Sequence, residues 1–91
     1  MAVARVIETG ATPEEYDKVR ARVDAGGKPA GLVFHVGALD SAGKIRVIEL
    51  WESRDQAEQF GEKVRAIRTE LGVGDGGMPP MEYLDVHNVI E

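Results

Sequence analysis

The sequence predicts an α+β domain of chain order βαββαβ, with a four-stranded antiparallel sheet and two helices packed on one of its faces. Three observations predict it. Short β-branched runs open and close the chain, two stretches of helical apolar period lie inside them, and between those stretches stand two apolar runs that read as a hairpin. The central runs do not alternate apolar with polar residues, so both faces of the sheet need cover.

Val3 to Glu8 is the first strand. Thr12 then caps a helix that starts with Pro13 and carries Tyr16, Val19 and Val23 at i, i+3 and i+7, until Gly26-Gly27 ends the pattern. Gly31 to Leu39 (GLVFHVGAL) and Lys44 to Glu52 (KIRVIELWE) form the hairpin, joined by Asp40-Ser41-Ala42-Gly43. Ser53 has Gln56 at capping-box spacing and opens the second helix, whose stripe is Ala57, Phe60, Val64, Ile67 and Leu71. Gly72 to Pro80 cannot continue that helix, and Met81 to Ile90 resumes an extended pattern. The order matches the ferredoxin-like arrangement.

With 91 residues and no linker the chain is expected to be one domain, and domains this small often need disulfides, a metal or a partner subunit. Cysteine is absent, and the two histidines show no metal-ligand spacing, so neither disulfide nor metal is expected. That leaves self-association. A net charge of −5 argues against nucleic-acid and anionic-membrane partners, and no apolar run is long enough for a leader or a membrane span, so a cytoplasmic location is expected. Two helices cover one face of the sheet, and a second copy of the sheet is the simplest cover for the other. The expected partner is therefore the chain itself, as a homodimer.

The hairpin register decides which polar groups meet. A three-residue loop with Gly43 in the left-handed conformation places Asp40 opposite Lys44, His35 opposite Glu49 and Val33 opposite Trp51. His35, Glu49 and Trp51 then share one face, and Leu32, Phe34, Ile48 and Leu50 the other, which becomes the dimer face. A two-residue loop would shift the register by one and separate His35 from Glu49.

Over its whole length the chain resembles the dimeric α+β barrel superfamily, and within it the antibiotic biosynthesis monooxygenase-like domains. The stretch that carries the resemblance is GLVFHVGALDSAGKIRVIELWESRDQAEQF, Gly31 to Phe60, with a His on strand 2, Trp51-Glu52-Ser53 ending strand 3, and an aromatic at Phe60. The resemblance implies a ligand cleft between helices and sheet, with Trp51 lining it. It implies no cofactor, and a cofactor-free monooxygenase-like or isomerase/cyclase-like activity on an aromatic or polyketide-like metabolite. Two departures stand against parts of this. The haem-degrading members have a His on the helix after the Trp, and none lies between Ser53 and Leu71; the cofactor-free oxygenases use an Asn on a central strand, where this chain has Val47 and Glu49.

His35 and Glu49 are the candidate catalytic pair, because a carboxylate beside an imidazole orients the ring and favours its charged form. As a structural pair they would only fix strand register. Trp51 and Phe60 are candidate walls of the cleft, although a large aromatic at a strand end also packs beneath a helix. Arg5, inside the sheet, must find an anion in Glu49, Asp85 or a ligand. Tyr83 and His87 share a strand face by parity and complete the candidate ligand contacts, His87 lying either in the cleft or at the dimer boundary. GVGDGG in the Gly72 to Pro80 segment precedes a strand and has no following Lys, so it reads as a lid or edge loop and not a phosphate loop. Two functions follow: a small-molecule enzyme or binder, and a non-catalytic dimeric module.

Overall fold

A computed structural model describes residues 2–90. The elements run β1 (Val3–Glu8), α1 (Pro13–Ala25), β2 (Leu32–Leu39), β3 (Ile45–Trp51), α2 (Arg54–Leu71) and β4 (Met81–Asp85). All neighbouring strands are antiparallel, in the order β2-β3-β1-β4, so β1 and β3 are central and β2 is an edge. This is the predicted ferredoxin-like arrangement.

Each helix starts where its capping residue stands. Thr12 accepts the Glu15 N–H, and the Glu15 carboxylate returns to the Thr12 N–H at 2.9 Å. The reciprocal capping box therefore forms on α1. On α2 the expected box is only half made: Ser53 accepts the Gln56 N–H, but the Gln56 side chain turns to the Ser53 hydroxyl and lies over Gly31. Caps of this kind contribute about 1 kcal/mol each. Gly72, in the left-handed conformation, closes α2.

The hairpin turn fixes the register through its own chemistry. Gly43 has φ of 78°, the Asp40 N–H reaches the Lys44 carbonyl at 2.8 Å, and the Asp40 carboxylate accepts the Ala42 and Lys44 N–H groups. This three-residue loop sets His35 opposite Glu49. One part of the expected register is corrected. Trp51 faces Leu32 instead of Val33, because a bulge between Leu32 and Phe34 puts an extra residue into β2. Val33 is left half-exposed, and Leu32 moves from the supposed dimer face to the helix side, where it packs against Val3, Trp51 and Ala57. The last strand is also shorter than expected. Its ladder ends at Asp85, opposite Val3 at the start of β1, and Val86 adds one further bond to the Ala2 carbonyl.

On the helix side, Val3, Trp51 and Ala57 form one buried cluster and Ile7, Ile45 and Val47 another. The opposite face has no helix. There Phe34, Val36, Ile48 and Leu84 keep 41 to 47% of their surface exposed, while Leu50, between Ala4 and Phe34 across its two ladders, is buried. Among the described residues no helix is long and apolar enough to cross a membrane.

Candidate functional site

Two charged side chains stand at the centre of the sheet. Arg5 on β1 and Glu49 on β3 are direct cross-strand partners, and each is only 2% exposed. Arg5 donates through Nε at 2.9 Å and Nη2 at 2.7 Å to the same carboxylate oxygen, Oε1. Its remaining nitrogen, Nη1, donates to the Ala57 carbonyl at 2.9 Å and to the Tyr83 hydroxyl at 3.4 Å. Small residues on α2 make room for this. A Cβ on Gly61 would lie 3.2 Å from Nη1.

Because Arg5 occupies only one oxygen, Glu49 Oε2 remains for His35, whose Nδ1 lies 2.7 Å away. Burial acts to raise the Glu49 pKa, but the His35 hydrogen bond, the Arg5 charge and the Trp51 indole N–H at 2.9 Å outweigh it, and the net shift is downward. Glu49 is thus an ionised acceptor, and His35 must carry its proton on Nδ1. In the neutral ring Nε2 then has a free lone pair. That nitrogen meets the Tyr16 hydroxyl at 2.5 Å, so the phenol donates and the imidazole accepts.

Tyr16 comes from α1 and lies across β2. Its ring stacks on His35 with centroids 6.0 Å apart, and it fits only because residue 37 is glycine: a Cβ there would stand 2.8 Å from the phenol oxygen. The Tyr16 pKa is raised, first by burial and also by the Glu49 charge, against the opposing charge of Arg20. At neutral pH it is a proton donor. The sequence placed Tyr16 only in an apolar helical stripe. The available signal was its hydroxyl, since a phenol turned into a core requires a polar partner.

This chain of groups borders a cavity of about 90 Å³ between helices and sheet. Arg5, Tyr16, His35 and Glu49 are among its polar lining residues, and Val23, Val47, Phe60 and Val64 among its apolar walls. The loop after α2 closes it with Val73, Met78 and Pro79. Ligand pockets usually measure roughly 300 to 1,000 Å³. The cavity is small on that scale.

The remaining candidates are placed differently. Trp51 is wholly buried behind Glu49, its ring 5.4 Å from that of Phe60, and does not border the cavity. Tyr83 supports Arg5 from behind and is likewise not part of the cavity wall. His87 is exposed beyond the end of β4, away from the cavity. Among the described residues no three His, Asp or Glu side chains come together as ligands for a metal ion.

No family model matches the sequence, and no curated protein matches it either. The fold, however, is found among solved structures. Over the whole chain it superposes on a protein of Chloroflexus aurantiacus assigned to the antibiotic biosynthesis monooxygenases, with a TM-score of 0.68, 15% identity and 98% of that chain covered. It superposes on the cofactor-independent oxygenase SnoaB of Streptomyces nogalater with a TM-score of 0.58 and 18% identity, over 98% of this chain and 93% of that one. The monooxygenase from the gene ActVA-Orf6 of Streptomyces coelicolor, solved with nanaomycin D, gives 0.58 and 19%, over 99% and 90%. The chain has the fold of the antibiotic biosynthesis monooxygenase-like proteins.

Proposed function

We propose that the chain is a homodimeric, cofactor-independent acid/base protein whose small-molecule pocket is the space between helices and sheet, with His35 as its base. One observation carries the reading: the run Arg5, Glu49, His35, Tyr16 ends in the imidazole Nε2 and a phenol at one cavity wall. His35 Nε2 takes a proton from a carbon next to a carbonyl. Glu49 stabilises the resulting imidazolium, and Arg5 keeps Glu49 ionised in a buried place. Tyr16, released from Nε2, donates its hydrogen bond to the oxygen that becomes an enolate. Return of the proton to another carbon is an isomerisation. With dioxygen as oxidant, the same carbanion supplies the electrons that a cofactor-free oxygenation requires, the type of reaction named for SnoaB.

An aromatic or polyketide-like substrate is in keeping with the fold's neighbours, but a polycyclic one needs more than 90 Å³ and therefore displacement of the Val73 to Pro79 segment. The dimer reading rests on Phe34, Val36, Ile48 and Leu84, an apolar patch on the face without helices. The test is solvent deuterium incorporation into phenylacetone, followed by NMR, with oxygen uptake measured in parallel. Wild-type exchange should exceed the buffer rate and fall at least about a hundredfold in His35→Ala, the usual scale of general-base catalysis. Equal rates in the two proteins would remove His35 from the chemistry.

A second reading has its own observation. The cavity is small, and among the described residues every buried side-chain nitrogen and oxygen has a partner, as suits a non-catalytic module whose charges only pair one another. Absence of both exchange and ligand binding would favour it.

A further inference from the structure

The charge around the cavity is opposite to that of the chain. The protein carries a net −5, yet four arginines, Arg5, Arg20, Arg65 and Arg68, border the cavity against one carboxylate, Glu49. Arg5 and Glu49 cancel each other. Of the other three, Arg20 pairs with Asp24 at 2.7 Å, and Arg65 donates to the Gly76 carbonyl and stands 3.8 Å from exposed Glu62. Arg68 is different. It is partly buried, and among the described residues it is the arginine with neither an acidic partner nor a side-chain hydrogen bond.

The loop after α2 is shaped around this side chain. Gly74 has φ of 76°, and a Cβ on it would lie 2.5 Å from Arg68 Nη2, so the guanidinium rests against bare backbone. Arg68 also borders the groove outside the cavity, formed by the β1–α1 and β2–β3 turns and the loop. That groove holds Glu8 and Asp40, which share Arg46, and Asp75, whose carboxylate accepts the Gly77 N–H. Arg68 therefore stands at the junction of groove and cavity. Guanidinium groups in a cleft with low-dielectric walls concentrate anions there, and an unpaired one is a carboxylate receptor.

From this we infer that the ligand is an organic carboxylate: its anionic group is held at the cavity mouth by Arg68, with Arg20 and Arg65 flanking, and its apolar body points inward past Phe60 and Val64 towards His35. The inference rests on the proposed pocket and names its substrate class. It also identifies Arg68 as a specificity residue.

Phenylpyruvate and phenylacetone share a benzyl ketone and differ in carrying a carboxylate or a methyl group. Titration calorimetry on the full chain should show phenylpyruvate bound about tenfold more tightly than phenylacetone, the scale of one charge-assisted contact. Arg68→Met should bring the two within about twofold, and Arg68→Lys, which keeps the charge, should restore part of the difference. Equal affinities in the wild type, no binding of phenylpyruvate, or an unchanged preference in Arg68→Met would each overturn the inference. Failure of the base is read separately. Deuterium exchange into neutral phenylacetone that depends on His35, without a carboxylate preference, leaves the proposed chemistry standing and this inference refuted. An Arg68-dependent preference without exchange does the reverse.

Discussion

Glu49 divides its two oxygens between Arg5 and His35: Oε1 takes two guanidinium N–H bonds, and Oε2 lies 2.7 Å from His35 Nδ1. Arg5 compensates the carboxylate on one side, and the His35 ring is held by Nδ1 with Nε2 on its far side, facing Tyr16.

Removing the charge of Glu49 should therefore destabilise the fold more than removing His35. Glu49→Gln leaves Arg5, 2% exposed, with no counter-charge, and breaking such a pair costs about 3 kcal/mol or more. The double change Arg5→Met with Glu49→Leu removes both charges and should recover much of the loss. Urea denaturation of Glu49→Gln, His35→Ala and the double variant measures this. A Glu49→Gln protein as stable as the wild type would mean the pair is not structural.

The lowered Glu49 pKa gives stability a definite acid limb. A carboxyl group depressed below its ordinary value of 4.5 stabilises the fold above that pH, and the contribution is lost as pH falls below 4.5 towards the folded value. Unfolding midpoints measured from pH 7 down to pH 3 should drop more steeply in the wild type than in Glu49→Gln. Tyr16 works in the opposite direction. Its raised pKa contributes stability that is intact below pH 10 and lost as pH rises beyond it, so spectrophotometric titration of the wild type should show a late-ionising phenol that is missing from Tyr16→Phe.

The apolar face predicts the assembly. Ile48 lies on a central strand of the face without helices and is 41% exposed, with Phe34 and Val36 beside it on β2. Ile48→Glu should convert a dimer to a monomer in sedimentation velocity, while circular dichroism shows the fold retained. A wild-type chain that sediments as a monomer at high micromolar concentration would leave that face without its proposed cover.

Much of this was legible in the sequence, because turn chemistry and buried charge are local signals. Asp40 and Gly43 dictate the loop, the loop dictates the register, and the register puts His35 beside Glu49. Arg5 within a strand required an anion, and Glu49 is the one it found. The bulge at Val33 had no such signal: an extra residue in an apolar strand leaves the composition unchanged and shows only in which side chains face the helices. Trp51 lies behind Glu49 and not in the cavity wall, in a cluster that Leu32 joins at that end of the hairpin. Tyr16 and the arginines of α1 and α2 were out of reach for a different reason. Helix periodicity gives the buried stripe but not which strand residue lies beneath it, and that decides that Tyr16 meets His35 and that Arg68 meets the loop.

Gly37 offers the sharpest test of the Tyr16 contact, because a side chain there displaces the phenol while Tyr16 and His35 both keep their chemical groups. The phenol oxygen lies where a Cβ on residue 37 would come within 2.8 Å, and the ring carbon behind it within 2.9 Å. Gly37 lies on edge strand β2, and its φ is not positive, so alanine is compatible with the backbone there. Gly37→Ala should push Tyr16 away from His35 Nε2 and lower the unfolding midpoint modestly, because the half-buried ring must give way to the added methyl. If Tyr16 supplies the hydrogen bond to the developing enolate, deuterium exchange in this variant should fall by about as much as in Tyr16→Phe, and the double variant should be no slower than either single one. Additive losses would mean that the two residues act independently and that the hydrogen bond from Tyr16 to His35 is only a packing contact.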